Sequence, residues 1–162
     1  FKIEGRAKSV AYVAQAVKSY RTALDMEAND PAKERKLRKI KKDLAEIVNR
    51  GYTTGFLFGE CKEDGQETHV SHLKEKYEFV GQVVGYDEIK KLAKIKVHNA
   101  LRQGDRVQVL QPHGDNFFSL VTAIYDDKTM ERLESAHGGQ GREAYVKLNK
   151  KSQAYSILRK EK

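Results

Sequence analysis

Glu78-Phe-Val-Gly-Gln-Val-Val-Gly-Tyr-Asp87, Leu92-Ala-Lys-Ile-Lys-Val97 and Gly104-Asp-Arg-Val-Gln-Val-Leu110 are three runs that mass or alternate β-branched residues between Gly, Asp and Asn punctuation. That pattern predicts three strands, because branched side chains suit a pleated, half-buried surface and the punctuating residues suit turns. Further strands are predicted at 117–125, 144–148 and 155–158. Turns are expected at Asp87-Glu88, Gln103-Gly-Asp105, His113-Gly-Asp-Asn116 and His137-Gly-Gly-Gln-Gly141. Short strands at this spacing predict a small antiparallel β-barrel over residues 77–162, closed so that no edge is left exposed.

Working outward, residues 1–50 read as helical. Ser9 is a suitable N-cap, and Val10, Val13, Ala14, Val17, Tyr20 and Leu24 recur at three and four residues, predicting a first helix with one apolar face that ends near Ala28 or Asn29. Asp30-Pro31 reads as an N-cap followed by a first-turn proline. Leu37, Ile40, Leu44, Ile47 and Val48 then form the stripe of a second helix, with its end marked by Gly51. Residues 51–76 form a Gly/aromatic loop and polar linker: Arg50-Gly-Tyr-Thr-Thr-Gly-Phe-Leu-Phe-Gly59 is too rich in glycine for a central strand and is expected to pack as an ordered loop or edge ribbon. The fold class expected is therefore α+β, a helix pair followed by an antiparallel barrel. Helices without a further layer would expose apolar faces, so the pair is expected to dock on the barrel or on a second copy.

The 162 residues suffice for one small barrel plus a helical appendage. The apolar runs are only a few residues long, which excludes a membrane span, and charged residues make up 33% of the chain. The single cysteine, Cys61, cannot form an internal disulfide, and no secretory signal pattern is present, so a reducing cytoplasm is the expected setting. Phe1-Lys-Ile3 reads as the end of a strand whose partners lie elsewhere, so a longer parent protein is expected.

The net charge of +8 is concentrated at one end, where residues 1–50 carry 13 Lys+Arg against 7 Asp+Glu, or +6, leaving +2 for the rest. The second helix holds Lys33, Arg35, Lys36, Arg38, Lys39, Lys41 and Lys42 against Glu34 alone up to position 42. Such a face is either simply solvated or a contact for phosphates, whose binding weakens steeply with salt. Arg35, Lys36, Lys39, Lys42, Arg50, Tyr52 and Phe56 are the candidate residues for binding a nucleic acid or another substrate. For a peptide partner, the aromatic positions Tyr52, Phe56 and Tyr125 would matter more and salt less.

Three local patterns carry little chemistry. Cys61, His69 and His72 lack a fourth ligand at a confirming spacing, so no metal is expected. Gly138-Gly-Gln140 copies the tripeptide of peptide-release factors, yet three residues in a glycine-rich hairpin read as a permissive turn. No Gly-x-Ser-x-Gly elbow and no Cys with a His partner is present, and Ser119 falls within an apolar strand pattern. The stretch offers no cofactor motif and is not expected to catalyse a reaction by itself.

Several blocks in fixed order are more specific. Lys2-Ile-Glu-Gly-Arg-Ala-Lys-Ser9 followed by Tyr12-Val-Ala14, Arg50-Gly-Tyr-Thr-Thr-Gly-Phe56, Tyr77-Glu-Phe-Val-Gly81 and Gly104-Asp-Arg-Val-Gln-Val-Leu110 together resemble the C-terminal part of peptidase family U32, the collagenase-like proteases. The resemblance covers nearly the whole chain. It implies a parent with an N-terminal β/α barrel, of which residues 1–4 would be the last strand and residues 9–26 the following helix, and it implies that this absent barrel is the chain's main partner. Val10 stands where relatives often have proline. Ligands of such barrels sit at the C-terminal ends of the strands, so Glu4 and Arg6 become candidate catalytic or anion-holding residues beside Gly5. The cysteines that resemble iron–sulfur ligands in some relatives would lie upstream, and Cys61 does not match them.

The family name implies proteolysis with collagen-like substrates, while other members resemble prephenate-dependent or iron–sulfur-dependent hydroxylation factors acting on RNA or quinone precursors. The expectation is a non-catalytic C-terminal module that recognises or positions peptide substrate for the absent barrel. The alternative is an RNA-binding module of an RNA-modifying relative. Gly104 to Leu110 and the loop 136–141 also resemble the second domain of elongation factor Tu, a barrel type that commonly touches RNA; fold alone does not fix function.

Overall fold

The alternation in the opening runs places every second side chain on one face of a sheet, and those side chains make the core. A computed structural model of the chain describes residues 2–47, 54–60, 76–139 and 141–162. Ten strands follow two helices: β1 (Tyr77–Asp87), β2 (Leu92–Val97), β3 (Leu101–Arg102), β4 (Arg106–Leu110), β5 (Phe117–Leu120), β6 (Ala123–Asp126), β7 (Arg132–Leu133), β8 (Ser135–Ala136), β9 (Glu143–Lys147) and β10 (Ile157–Glu161). Eight of them form one antiparallel sheet in the order β5-β4-β10-β1-β2-β9-β6-β7, and β3 pairs with β8 in a short ribbon. Val83, Ile95, Val107, Val109, Ile124, Val146 and Leu158 are fully buried on the inner face. Each such side chain withdrawn from water contributes about 1.5–3 kcal/mol.

The sheet curls into a half-barrel rather than the closed barrel expected, with β5 and β7 as its end strands among the described residues, because one segment supplies one end and the strand next to the other. Residues 117–125, expected as a single strand, instead form parts of two, β5 and β6, with a bend at Val121-Thr122: β5 pairs with β4 at one end of the order, and β6 pairs with β9 near the other. Val121 donates its N–H to the Asp105 carbonyl and accepts from Gly104, while Thr122 donates to Lys147. A bend with its backbone groups satisfied in this way lets one strand change partners and turn the corner of a barrel. Gly104 takes φ +90 in the turn between β3 and β4, as its place in Gln103-Gly-Asp105 requires. The last strand starts at Ile157 rather than at 155, because Tyr155 has φ +66, outside strand geometry, and donates its N–H to Val83 O before β10 begins.

The helices are α1 (Val10–Leu24) and α2 (Lys33–Ala45). Ser9 caps α1 as expected, its Oγ accepting from Tyr12 N–H at 3.2 Å. The helix ends at Leu24 rather than near Ala28, with Asp25 donating its N–H to the Arg21 carbonyl. Asp30 holds the start of α2 from one residue further out than a cap: its Oδ1 accepts from Ala32 N–H at 2.8 Å and its carbonyl from Lys33 N–H at 2.9 Å, so Pro31 and Ala32 form the entering turn. α2 ends at Ala45, and Gly51 lies outside the described residues.

The helix pair docks on the sheet, but not through the expected face. The buried residues of α1 are Ala11, Gln15, Ala16 and Ser19, and Ala11 packs with Leu110 of β4 and Ile157 of β10. Val10, Val17 and Leu24, assigned to the buried stripe from their periodicity, are about half exposed. The small Ala11 and Ala14 let the helix approach the strands closely, while Gln15 and Ser19 line the cleft shared with α2, so the bulkier residues of the stripe are left outward. The described part of the Gly/aromatic loop, 54–60, is a run of turns in which Phe56, Leu57 and Phe58 are 76%, 77% and 84% exposed, not packed as expected. Lys2 to Gly5 belong to no strand among the described residues.

Candidate functional site

Seven Lys and Arg against two Asp and Glu occupy the thirteen residues of α2. Leu37, Ile40 and Leu44 face inward and are half-buried, so the helical period turns Arg35, Arg38 and Lys42 outward in one stripe. Arg35, Lys41 and Lys42 make no ion pair among the described residues. Arg38 reaches Glu34 at 3.4 Å, an exposed pair that contributes little to stability. Nothing in the packing accounts for this density of cations, since no α2 residue is buried. A row of exposed, largely uncompensated cations can bind a polyanion.

Lys36 and Lys39 flank that stripe on the side facing α1 and the β4–β5 turn. Lys36 pairs with Asp30 at 2.5 Å, and Lys39 with Asp115 at 2.8 Å. Between the two helices and this turn lies a cleft of about 170 Å³ whose walls include Gln15, Lys18, Lys36, Lys39, Asp43 and Asn116. Lys18 is its anchor: the ammonium donates to Gln111 O at 2.8 Å, Gly114 O at 2.7 Å and Asn116 Oδ1 at 2.5 Å. Burial, then the neighbouring charge of Lys39, pulls its pKa down. Burial pushes the Asp43 carboxyl up, against the pull of Lys39. The hydrogen bond and charge of Lys39 lower the Asp115 carboxyl. These groups fix α1 and α2 to the β4–β5 turn and thereby fix where the α2 stripe points.

A second anchor secures the far end of α2. Arg159 of β10 is 3% exposed, donates from Nε to Gln108 Oε1 at 2.7 Å, reaches Glu46 at 3.4 Å and lies over the Tyr77 ring at 4.1 Å. Lys76 also reaches Glu46, at 3.2 Å. Sequence reasoning missed Lys18 and Arg159 as anchors; the signals available were that Lys18 lies beside the apolar stripe of α1 and that Arg159 follows two apolar residues in a strand.

The remaining candidates are not brought together with these. Glu4 Oε1 accepts from Arg6 N–H at 3.1 Å, both side chains are exposed, and the Arg6 guanidinium makes no ion pair among the described residues. Gly5 is explained by packing, because a Cβ there would stand 2.7 Å from Val13 Cγ2. Phe56 is exposed in its turn, while Arg50 and Tyr52 lie outside the described residues, as do Cys61, His69 and His72. Among the described residues no three His, Cys, Asp or Glu side chains gather closely enough to hold a metal, and no helix is long and apolar enough to cross a membrane.

Comparison with known proteins gives two family matches: the peptidase family U32 C-terminal domain over residues 75–159, and peptidase family U32 over residues 1–67. The chain is similar to tRNA hydroxylation protein P1 of Bacillus subtilis, 32% identical over 161 residues, which are 99% of this chain and 38% of that protein. It is similar to a collagenase of Porphyromonas gingivalis, 25% identical over 134 residues, 82% of this chain and 37% of that one. The solved C-terminal domain of a Geobacillus thermoleovorans U32 peptidase superposes with a TM-score of 0.47 at 29% identity, covering 52% of this chain and 93% of that domain. The chain thus spans little more than a third of the length of these two curated relatives.

Proposed function

Because the chain belongs to peptidase family U32, we propose that it is the RNA-engaging C-terminal part of a U32 protein of the tRNA-hydroxylation kind, acting in the cytoplasm beside a preceding β/α barrel that does the chemistry. The observation that carries this reading is the outward stripe Arg35, Arg38 and Lys42 on a helix with no buried residue and a formal charge of +5. Phosphates are the polyanion such a stripe suits, since each neutralised phosphate releases counterions and adds affinity without any base contact. The reading is also supported by the relative named for tRNA hydroxylation, which aligns over nearly the whole chain, helices included, at higher identity than the collagenase. In this reading residues 1–50 close the parent's barrel, 51–76 link, and 77–162 form the accessory barrel. The half-exposed Val10, Val17 and Leu24 of α1 are the face on which the preceding barrel rests.

The test is tRNA binding by the 162-residue chain and by its Arg35→Glu/Arg38→Glu/Lys42→Glu variant across a salt series. The variant is expected to bind at least about tenfold more weakly and to lose about one unit of salt slope per phosphate contact removed. Unchanged affinity and slope would refute the reading. A second reading, recognition of peptide for a collagenase-type barrel, has its own support in the exposed run Phe56-Leu57-Phe58. It predicts binding of denatured collagen peptide that persists at high salt and is lost in Phe56→Ser/Phe58→Ser.

A further inference from the structure

Strand register sets four side chains in a single row across the outer face of the sheet. Lys94 of β2 is directly opposite Tyr145 of β9, Tyr145 is opposite Tyr125 of β6, and Tyr125 is opposite Arg132 of β7. With strands about 4.8 Å apart, the row is roughly 14 Å long. Its outward direction follows from parity: the neighbouring residues Ile95, Val146 and Ile124 are fully buried, and Leu133 packs on the same core. Beyond Lys94 the row continues to Gly85 of β1, where a Cβ would meet nothing within 4 Å, so the platform opens onto free space.

The rings are set for a partner other than each other. A cross-strand tyrosine pair that served only the sheet would pack ring on ring. Among the described residues the rings of Tyr125 and Tyr145 make no such contact, and the ring pair found is Phe79 on His98. The ammonium groups of Lys90 and Lys94 instead stand 5.7 and 5.9 Å from the Tyr145 centroid. The cations are partly balanced: Lys94 pairs with Glu143 at 2.6 Å, Lys90 with Asp87 at 3.9 Å, and Arg142 with Asp126 at 3.7 Å. A ligand of this face therefore gains more from stacking than from net charge. A row of cation, aromatic, aromatic, cation matches a strand of unpaired bases whose phosphates run along its ends.

We propose that this row is a stacking platform for single-stranded RNA, which places two successive bases on Tyr145 and Tyr125 and their phosphates near Lys94 and Arg132. It rests on the RNA reading above and adds to it a second, separate surface. α1 docks at β4 and β10, whereas the platform occupies β2, β9, β6 and β7. The stripe on α2 would hold backbone phosphates while the platform reads an unpaired segment.

The experiment is binding of a fluorescein-labelled single-stranded decaribonucleotide to the 162-residue chain and to Tyr145→Val, Tyr125→Val and Tyr145→Phe, the valines keeping strand preference. Each valine variant is expected to bind about tenfold more weakly with the salt slope unchanged, and the phenylalanine variant within about twofold of the parent chain. Titration of the parent chain is also expected to shift the ring proton resonances of both tyrosines, a readout that stands even where a valine variant fails to fold. Oligonucleotide and tRNA binding with unshifted tyrosine resonances and unchanged valine variants would overturn the platform and leave the α2 reading intact. Absence of binding to either RNA would overturn both.

Discussion

Gly138 has no room for a methyl group: a Cβ built there stands 1.8 Å from the carbonyl oxygen of His98. Backbone cannot yield as a flexible side chain can, so Gly138→Ala is expected to destabilise the fold by about 1–3 kcal/mol or more in urea unfolding. In the release-factor-like tripeptide Gly138 is thus explained by close packing of the chain on itself and Gly139 by its φ of +137, while Gln140 lies outside the described residues. Asp43 makes a prediction of opposite sign. Burial raises its carboxyl above the ordinary aspartate value, so the folded state binds this proton more tightly than the unfolded chain does. The stability associated with the protonated group is then lost as pH rises through the folded-state value, and at pH 7 the charged carboxylate is a burden. Asp43→Asn is expected to raise the melting temperature at pH 7, with the gain shrinking as the pH is lowered below that value; a lower melting temperature at pH 7 would show that Lys39 and Arg159 outweigh burial.

At the scale of elements, the joint between helices and sheet is built from small residues, the half-buried Lys18 and the buried Arg159. Ala16→Leu, on the buried face of α1, is expected to cost about 1–3 kcal/mol through overpacking, whereas Val17→Ser on the outward stripe should stay within about 0.5 kcal/mol. Equal losses at the two positions would reinstate the face that periodicity suggested. Removing the buried Arg159 charge as Arg159→Met leaves Gln108 Oε1 without this donor and Glu46 with Lys76 alone, with an expected loss of about 1–3 kcal/mol. Hydrogen exchange should show α2 amides released before those of β1 and β2. Most strands were legible in the sequence because alternation and Gly/Asp punctuation agree. The face of α1 was not, because hydrophobic periodicity counts bulk and misses that alanine permits closer contact. The bend at Val121-Thr122 was hidden because both halves of 117–126 carry strand composition; only their partners differ. For the candidate site, the charge of α2 could be read directly, but the row of Lys94, Tyr145, Tyr125 and Arg132 depends on register between strands far apart in sequence, which no local pattern encodes.

For the whole molecule, the arrangement separates three surfaces. One is the α1 stripe, proposed above as the contact for a β/α barrel, another is the cationic stripe of α2, and the last is the aromatic row on the half of the sheet away from the helices. With +6 of the net +8 on residues 1–50, long-range attraction orients the helical side toward a polyanion first. Val10→Lys/Val17→Lys is therefore expected to leave the stability of this chain unchanged while preventing its association with a separately produced β/α barrel of the same parent, which pull-down would read.

The central claim, that this part of a U32 protein engages RNA, is tested most directly by measuring the affinity of the 162-residue chain for tRNA and for a denatured collagen peptide, side by side at 50 mM and 200 mM salt. Binding of tRNA is expected to weaken steeply between the two conditions, as phosphate contacts require, with little binding of the peptide. Peptide binding of equal strength at both salts with no affinity for tRNA would contradict it and return the chain to the peptide-recognition reading.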